Sequence, residues 1–291
     1  MDAKNPEKLI DLAIQCLLRH ESVAIQALEY IPRDLFIPLF IAAFKGGHKN
    51  ILSEMVKVWP FYCLHLGTLP VREVHRELLK AMIENLPLYP AKNSSSRKPK
   101  LRILDLRLDI DCRIACPEVR IEPPFCFHSC TYSENSVTKI DGQLRLTDLE
   151  SSIHLPRPIE LLMDLSLDGS LLEREFLMLL MRKIRESFGA LHICCRDLQV
   201  DKLGDCKRTL RILDLNCVNR LLVDKGSLSD ITNILSQMSH LQSLRLLKVT
   251  FRSLSGKVFK NFLSHLQRME NLKELKFSSF RLKNHLESVL R

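Results

Sequence analysis

The sequence predicts an α/β fold, a leucine-rich-repeat solenoid with a helical N-terminal cap. The first ninety of the 291 residues show the three- and four-residue spacing of apolar side chains that is typical of helices. A leucine motif then recurs along the rest of the chain, and each of its last three copies precedes a helix-like run. One strand-helix unit cannot bury its own apolar face, whereas stacked units bury a continuous core.

Residues 1–90 form the predicted helical region. Its breaks fall at Pro32, at the Gly46-Gly47 pair and before Pro60. Proline lacks the backbone N–H that a helix interior needs, and glycine readily adopts the left-handed backbone of a helix end. A fifth helix is predicted over 71–85. We therefore expect five helices in this region.

A leucine motif supplies the repeat. Leu101-Arg-Ile-Leu-Asp-Leu106 recurs almost letter for letter at 210–215, and related motifs occupy 241–246 and 272–277. The last three copies begin 31 residues apart. A short strand in each copy would place the fourth and sixth side chains on one face. We expect the following side chains to be buried between sheet and helices: Leu213, Leu215, Leu244, Leu246, Leu275 and Phe277.

The repeat region is predicted over 101–291. Helical patterns follow its last three motifs at 228–238, 258–269 and 283–290. Solenoids normally need a polar terminal cap, because the last repeat otherwise exposes an apolar face. No such cap follows the last predicted helix, so we expect a solenoid that is incomplete at its C-terminus.

Two segments fall outside the repeat pattern. Residues 91–100 are polar and rich in serine, which predicts a linker between the helical region and the repeats. Residues 109–158 are rich in cysteine and proline, which predicts an irregular insertion. The repeat pattern then resumes with an apolar stretch at 159–167, a helix over 172–187 and a strand over 191–195.

Four cysteines in the insertion raise the question of a zinc site, since four thiolates can hold zinc tetrahedrally. They form two close pairs, Cys112 with Cys116 and Cys126 with Cys130. Each pair has three intervening residues where two are usual, and no glycine-bearing turn accompanies them. We therefore expect free thiols in this segment, and no bound metal or other cofactor.

Catalytic motifs are absent from the sequence. It lacks a glycine-rich phosphate loop, a G-x-S-x-G turn and an H-E-x-x-H helix, and it has only 9 glycines. His192 and Cys194 lie close together, but a structural strand explains them better than a catalytic pair does. We expect no enzymatic activity.

Charge and hydropathy bear on nucleic-acid binding and on the cellular location of the chain. The net charge is +9, but the basic residues are scattered and aromatic residues amount to 6%, so nucleic-acid binding is not expected. The N-terminus lacks the apolar core of a signal peptide, and the longest apolar stretch, 35–44, is too short to span a bilayer. We expect an intracellular chain whose ten cysteines are reduced.

Four segments carry a resemblance to a known family. They are Ile31-Pro-Arg-Asp-Leu-Phe-Ile-Pro-Leu-Phe-Ile-Ala-Ala-Phe44, Val58-Trp-Pro-Phe61, Leu101-Arg-Ile-Leu-Asp-Leu106 and Leu191-His-Ile-Cys-Cys-Arg-Asp-Leu198. In this order they resemble the PRAME family of leucine-rich-repeat proteins over essentially the whole chain except the insertion. Family members continue for further repeats, so the chain resembles their N-terminal part. The resemblance also implies expression in germ cells and early embryos.

The resemblance implies a substrate receptor of a cullin-RING ubiquitin ligase. Its elongin-binding helix would use Leu9, Ala13 and Leu17, which are spaced by about one helical turn as groove binding requires. Lys8 and Ala13 depart from the family pattern, which has a small residue or proline and then a cysteine at these places. The cullin-binding motif would be Ile31-Pro32-Arg33-Asp34. The alternative is that these helices only cap the solenoid.

A second family role is transcriptional repression through a nuclear receptor, which requires an L-x-x-L-L helix. The sequence contains only near misses, at Ile14-x-x-Leu17-Leu18 and Phe176-x-x-Leu179-Leu180. The alternative function is therefore a repressor or scaffold in germ or embryonic cells with no link to a ligase. Either function implies a cytoplasmic protein, with the nucleus as a second location, and an unidentified protein partner.

Overall fold

The computed structural model describes residues 8–61, 63–66, 73–88, 100–107, 158–250 and 256–278. Within these residues the chain forms nine α-helices and a parallel sheet of seven strands that follow the order of the sequence. The helices are α1 (Leu9–Arg19), α2 (Glu21–Ala27), α3 (Phe36–Gly46), α4 (Lys49–Lys57), α5 (Glu73–Glu84), α6 (Leu171–Glu186), α7 (Lys207–Leu210), α8 (Leu228–Leu235) and α9 (Lys257–Gln267). The strands are β1 (Cys63–His65), β2 (Ile103–Asp105), β3 (Ile159–Leu167), β4 (Leu191–Lys202), β5 (Arg220–Ser227), β6 (Ser243–Thr250) and β7 (Glu274–Phe277). The predicted α/β class is confirmed.

The chain divides into two compact units. The first comprises residues 1–160 and 183–191, and it contains α1 to α5 with β1 and β2. The second comprises residues 161–182 and 192–291, and it contains α7 to α9 with β5 to β7. The five helices predicted for the N-terminal region thus all lie in the first unit.

The core of the first unit is aromatic. Trp59 is 1% exposed, and its ring packs edge to face against those of Phe36, Phe40 and Phe61 at centroid distances of 6.2, 5.3 and 5.6 Å. Its indole N–H donates a hydrogen bond of 3.0 Å to the carbonyl oxygen of Cys63. A buried indole needs such a partner for its polar end. The tryptophan therefore ties α3 to the beginning of β1.

The residues after α3 show why the helix ends at Gly46. Gly47 has a φ of 76°, in the left-handed region that favours glycine. Its N–H donates to the carbonyl oxygen of Phe44, and the N–H of His48 donates to that of Ala43. These bonds satisfy carbonyl groups that the helix end would leave unpaired. The predicted break at the glycine pair is confirmed.

β2 lies within the first leucine motif. Leu101 and Leu104 are fully buried there. The carboxylate of Asp105 is also fully buried, and it accepts hydrogen bonds of 2.9 and 2.7 Å from the guanidinium group of Arg107. Two parallel bonds of this kind offset the cost of removing both charges from water. The first motif therefore forms a strand that ends in a buried ion pair.

In the second unit, β4 to β7 pair in parallel and align their apolar side chains in two rows. Row one is Leu198, Leu221, Leu244 and Leu275, and row two is Val200, Val223, Leu246 and Phe277. The members from β4, β5 and β6 are at most 1% exposed, whereas the two from β7 are half-buried. Successive members of a row are 23, 23 and 31 residues apart. A period of 23 residues lies within the range of leucine-rich repeats.

The strand predicted for the second leucine motif, at 210–215, is wrong. This segment ends α7, continues as a turn and enters a 3-10 helix at Leu215–Cys217. The carboxylate of Asp214 accepts a hydrogen bond of 3.0 Å from the N–H of Asn216 and caps the 3-10 helix. Side-chain capping of this kind gives the backbone an alternative to strand pairing. The strand begins five residues later, with β5, so the uniform 31-residue period is also wrong.

The predicted burial is therefore correct only in part. Leu215, Leu244 and Leu246 are buried as predicted. Leu213 lies in the turn and is partly exposed, so its prediction is wrong. The two side chains predicted to be buried in β7 are half-buried, because β7 pairs on one side only, with β6, within the described residues.

The other predicted elements have mixed outcomes. The apolar stretch at 159–167 is β3, and the helix predicted over 172–187 is α6, which begins and ends one residue earlier. The strand predicted over 191–195 is correct but continues to Lys202 as β4. Nearly all of the predicted linker and insertion, and the last predicted helix, lie outside the described residues.

Candidate functional site

α1 presents an apolar stripe to solvent. Leu9 is 83% exposed and Leu12 is 48% exposed. Ala13 and Cys16 are exposed as well. Each residue advances an α-helix by about 100°, so these four side chains fall within an arc of about 100°. Exposed apolar surface that is arranged along one helix face is typical of docking sites. These four residues are called the α1 stripe below.

The predicted elongin-binding set only partly coincides with the α1 stripe. Leu9 and Ala13 belong to it, but Leu17 is half-buried. Four-residue steps rotate by about 40° each, and they carry the set toward the packed face that contains the buried Ile14. The predicted set leaves out Leu12 and Cys16, although the sequence places both in the same three- and four-residue apolar pattern of this helix.

The predicted cullin-binding motif is divided between core and surface. Ile31 is only 7% exposed and packs in the core, whereas Pro32, Arg33 and Asp34 are exposed. The guanidinium carbon of Arg33 lies 4.6 Å from the ring centroid of Phe61, a cation–π contact that orients the side chain. Three of the four motif residues are therefore accessible to a partner.

Other exposed large apolar side chains are distributed over the surface. They include Val23, Tyr30, Leu171, Met178 and Phe188. Scattered residues of this kind are normal on a protein surface. No helix in the part of the chain that the structure describes is long and apolar enough to cross a bilayer.

A cluster of polar side chains lies in the second unit, between β4 and the 3-10 helix that precedes β5. It consists of His192, Cys194, Asp214 and Cys217, and is called the His192 cluster below. Nε2 of His192 lies 3.3 Å from Oδ2 of Asp214. The thiol of Cys217 donates to the same oxygen over 3.7 Å, and it shares a further hydrogen bond with the thiol of Cys194.

Local structure brings these side chains together. His192 and Cys194 are two residues apart on β4, so they share one face of the strand. Asp214 and Cys217 are three residues apart, at the two ends of one 3-10 turn. Sequence reasoning considered His192 and Cys194 only as strand residues, and it had no signal that this turn lies against them.

Two thiols of this region are held in the protonated form. The hydrogen bond with Cys194, together with burial, raises the pKa of Cys217. Burial raises the pKa of the neighbouring Cys195 to about 12. A catalytic cysteine needs a lowered pKa, because the thiolate is the nucleophile. Cys217 is therefore not an activated thiolate, but the nitrogen, oxygen and sulfur donors of the cluster are those that bind transition metals.

The comparisons with known proteins agree on one family. Residues 6–114 match the PRAME N-terminal domain and residues 159–291 match the PRAME C-terminal domain. The chain is 29% identical to human PRAME family member 14 and 28% identical to human PRAME family member 1, each over 302 residues. These alignments cover 100% of this chain but only 61% of each relative. No solved structure matches the chain.

The relatives are named as family members and not as enzymes. The two domain matches together cover most of the chain, and they include all four segments that carry the resemblance. The resemblance is therefore confirmed, and this chain belongs to the PRAME family.

Proposed function

We propose that this chain is a non-enzymatic adaptor that presents substrate proteins to a cullin-RING ubiquitin ligase. PRAME family membership supports a protein-interaction role in general. In the proposal, the helical region binds elongin B/C and a cullin, and the repeats stack as a leucine-rich-repeat solenoid that binds a substrate protein. The adaptor works in the cytoplasm, with the nucleus as a second location.

The exposed α1 stripe carries this proposal. A helix that only capped a solenoid would turn its large apolar side chains toward the core, as α1 does with Ile14. Leu9 and Leu12 point the other way, at 83% and 48% exposure. Exposed leucines on one helix face suit a partner with an apolar groove, because burying each one on binding removes apolar surface from water.

The α1 stripe also contains a second version of the elongin motif. The family pattern places a cysteine four residues after its leucine, and Ala13 fails this test relative to Leu9. Leu12 and Cys16 supply the leucine and the cysteine at the required spacing, and both are exposed, while Asp11 and His20 depart from the pattern on either side of them. The proposed docking surface therefore includes Leu12 and Cys16 together with Leu9.

The proposed cullin contact uses the accessible part of its motif. Pro32, Arg33 and Asp34 follow α2 closely, and all three are exposed. Ile31 supports these residues from the core and does not itself reach the partner in this proposal. Arg33→Ala is therefore the variant of choice for this contact, since Ile31→Ala would also disturb packing.

Capture of purified elongin B/C by the full 291-residue chain tests the proposal. Leu9→Ser and Leu12→Ser are each expected to weaken capture at least about tenfold, because a few apolar anchors supply most of the affinity of a groove-bound helix. Val23→Ser is the matched control, since Val23 is 58% exposed on α2 and lies outside the α1 stripe. Circular dichroism melting should show that all three variants remain folded.

Three results would count against the proposal. If Leu9→Ser lowers the melting temperature strongly, Leu9 belongs to the core and the capping account is correct. If both stripe variants still capture elongin as the wild type does, the contact lies elsewhere. If the wild-type chain captures no elongin where human PRAME family member 14 does, the departures at Lys8 and Ala13 have disabled the motif, and the scaffold function takes its place.

The repressor alternative gains no support from the near-miss L-x-x-L-L segments. Ile14 is 6% exposed, and Leu179 and Leu180 in α6 are 8% and 2% exposed. A receptor groove binds the leucines of such a helix directly, so the helix must present them to solvent. Of the two alternative functions, we therefore favour a scaffold over a repressor that binds a nuclear receptor.

A further inference from the structure

Three side chains of the His192 cluster converge on one point in the second unit. Nε2 of His192, Oδ2 of Asp214 and Sγ of Cys217 all lie within 4.8 Å of one another. One nitrogen, one oxygen and one sulfur donor thus surround a common centre, and Cys194 lies beside Cys217.

We infer that His192, Asp214 and Cys217 bind a zinc ion. This inference is independent of the proposed ligase function, and it departs from the sequence-based expectation of no metal. Zinc prefers four ligands in a tetrahedron and accepts all three donor types that are present here. Three protein ligands leave the fourth position of the tetrahedron to a water molecule.

The donor separations fit a tetrahedral ion. With zinc–nitrogen and zinc–oxygen bonds of ordinary length, the two donors are about 3.3–3.5 Å apart across a tetrahedral angle. Nε2 of His192 and Oδ2 of Asp214 are 3.3 Å apart. The corresponding sulfur–oxygen separation is about 3.5–3.7 Å. Sγ of Cys217 and Oδ2 of Asp214 are 3.7 Å apart. Both separations to Oδ2 of Asp214 therefore match those around a tetrahedral ion.

The donor atoms are also available to a metal. Within the described residues, the ring of His192 makes no hydrogen bond outside the cluster, and its buried Nδ1 has no partner at all. The other carboxylate oxygen of Asp214 is already fixed by the N–H of Asn216, which leaves Oδ2 directed at the cluster. The side chains of His192 and Asp214 are 32% and 41% exposed, so an ion can enter from solvent.

Two of the three ligands have the spacing of a zinc knuckle. Asp214-x-x-Cys217 supplies two donors from one tight turn, as a C-x-x-C pair does there. His192 supplies the third donor from β4. A bound ion would therefore hold the 3-10 helix against β4. This helix begins at the end of the 210–215 motif, which does not form a strand.

Metal content of the full chain tests the inference. The protein is purified with a phosphine reductant, stripped with a chelator, reloaded with Zn²⁺ and dialysed, and its zinc is measured by mass spectrometry of the elements. One zinc per chain is expected. Reloading with Co²⁺ should give the visible absorption of tetrahedral cobalt and a sulfur-to-cobalt charge-transfer band.

Variants assign the ion to this cluster. His192→Gln and Cys217→Ser should each lower zinc affinity at least about 100-fold, since even residues that only orient a ligand contribute up to this amount. Asp214→Asn keeps a side chain that can cap the 3-10 helix, so it should weaken zinc binding without unfolding the chain. Cys16→Ser and the double change Cys126→Ser with Cys130→Ser are the controls and should keep the zinc.

The melting temperature gives a second readout. Zinc should raise the melting temperature of the stripped wild type, because an ion that binds only the folded state stabilises that state. It should leave the melting temperature of His192→Gln unchanged. The inference fails if the reduced wild type retains no zinc. It also fails if the insertion variant loses the ion while His192→Gln keeps it, or if a disulfide between Cys194 and Cys217 persists in reductant and excludes the metal.

Discussion

Leu244 lies inside the first apolar row, and its side chain is fully buried between neighbours from β5 and β7. We expect Leu244→Ala to lower the free energy of unfolding by about 2–5 kcal/mol, because the lost side chain leaves a cavity that the surrounding rows cannot close. Urea unfolding of the full chain, followed by circular dichroism, measures this change.

Leu213 is the matched control for that substitution. It occupies the fourth place of its leucine motif, as Leu244 does, but it lies partly exposed in a turn. Leu213→Ala should therefore cost only about 1 kcal/mol. Equal losses at the two positions would contradict the strand register and would favour the uniform repeat that the sequence predicts.

Glu274 in β7 forms a polar network with three neighbours on the exposed side of the sheet. Its carboxylate accepts hydrogen bonds from Lys276 at 2.6 Å, from Ser243 at 2.6 Å and from Arg245 at 3.0 Å. These bonds lower the pKa of Glu274 to about 2, from an ordinary value of 4.5. The network therefore stabilises the folded state above about pH 4.5, and its contribution decreases as the pH falls toward 2.

Carbon-detected NMR titration of the side-chain carboxylates tests this behaviour. At pH 4, Glu274 should still be ionised, whereas an unperturbed glutamate would be more than half protonated. Glu274→Gln should lower the melting temperature at pH 7 and have a much smaller effect near pH 2.5. Glu270→Gln is the control, since Glu270 has no ion pair within the described residues. A midpoint near 4.5 for Glu274 would show that the network does not form in solution.

At the scale of elements, β6 was the most predictable strand. Its motif begins with Leu241, which packs at the preceding bend, and its fourth and sixth residues are both fully buried. The helical spacing that predicts α6 extends over four turns, so both of its ends were correct to within one residue. Long or exactly alternating apolar patterns constrain an element strongly, because burial of one face decides its conformation.

The 210–215 motif failed for a reason that its leucine pattern does not contain. It repeats the first motif almost letter for letter, yet Asp214 caps a 3-10 helix whereas Asp105 ends a strand and pairs with Arg107. Both carboxylates accept a hydrogen bond from the N–H two residues later, but only Asp105 also binds a guanidinium group, that of Arg107. The positions of the leucines do not contain this difference.

The two candidate sites differ in how far the sequence predicts them. The resemblance pointed to α1, but only exposure distinguishes the α1 stripe from the half-buried Leu17. The His192 cluster combines β4 with a turn about twenty residues further on, and that turn was predicted to be a strand. A site that depends on a mispredicted element cannot be found from the sequence pattern alone, because its donors meet only in the folded chain.

At the scale of the whole molecule, the net charge of +9 raises the question of whether the chain binds nucleic acid. Strands β5 to β7 argue against it, because their basic side chains are paired with acidic ones. The pairs are Arg220 with Asp197, Lys225 with Asp201, Lys248 with Asp224, and Arg245 with Glu274. A phosphate backbone would have to displace these carboxylates, so the excess charge provides little affinity on this surface.

We therefore expect the full chain to bind duplex DNA and RNA hairpins only weakly. Non-specific binding of basic proteins has dissociation constants of about 10⁻⁴–10⁻⁶ M at physiological salt. It weakens steeply as the salt concentration rises, because the release of counterions from the nucleic acid then gains less free energy. Fluorescence anisotropy with labelled oligonucleotides at two potassium chloride concentrations measures both the affinity and its salt dependence. A dissociation constant below about 10⁻⁸ M that persists at the higher concentration would be specific recognition. That result would overturn the prediction, because it would require a basic surface free of the carboxylates that neutralise β5 to β7.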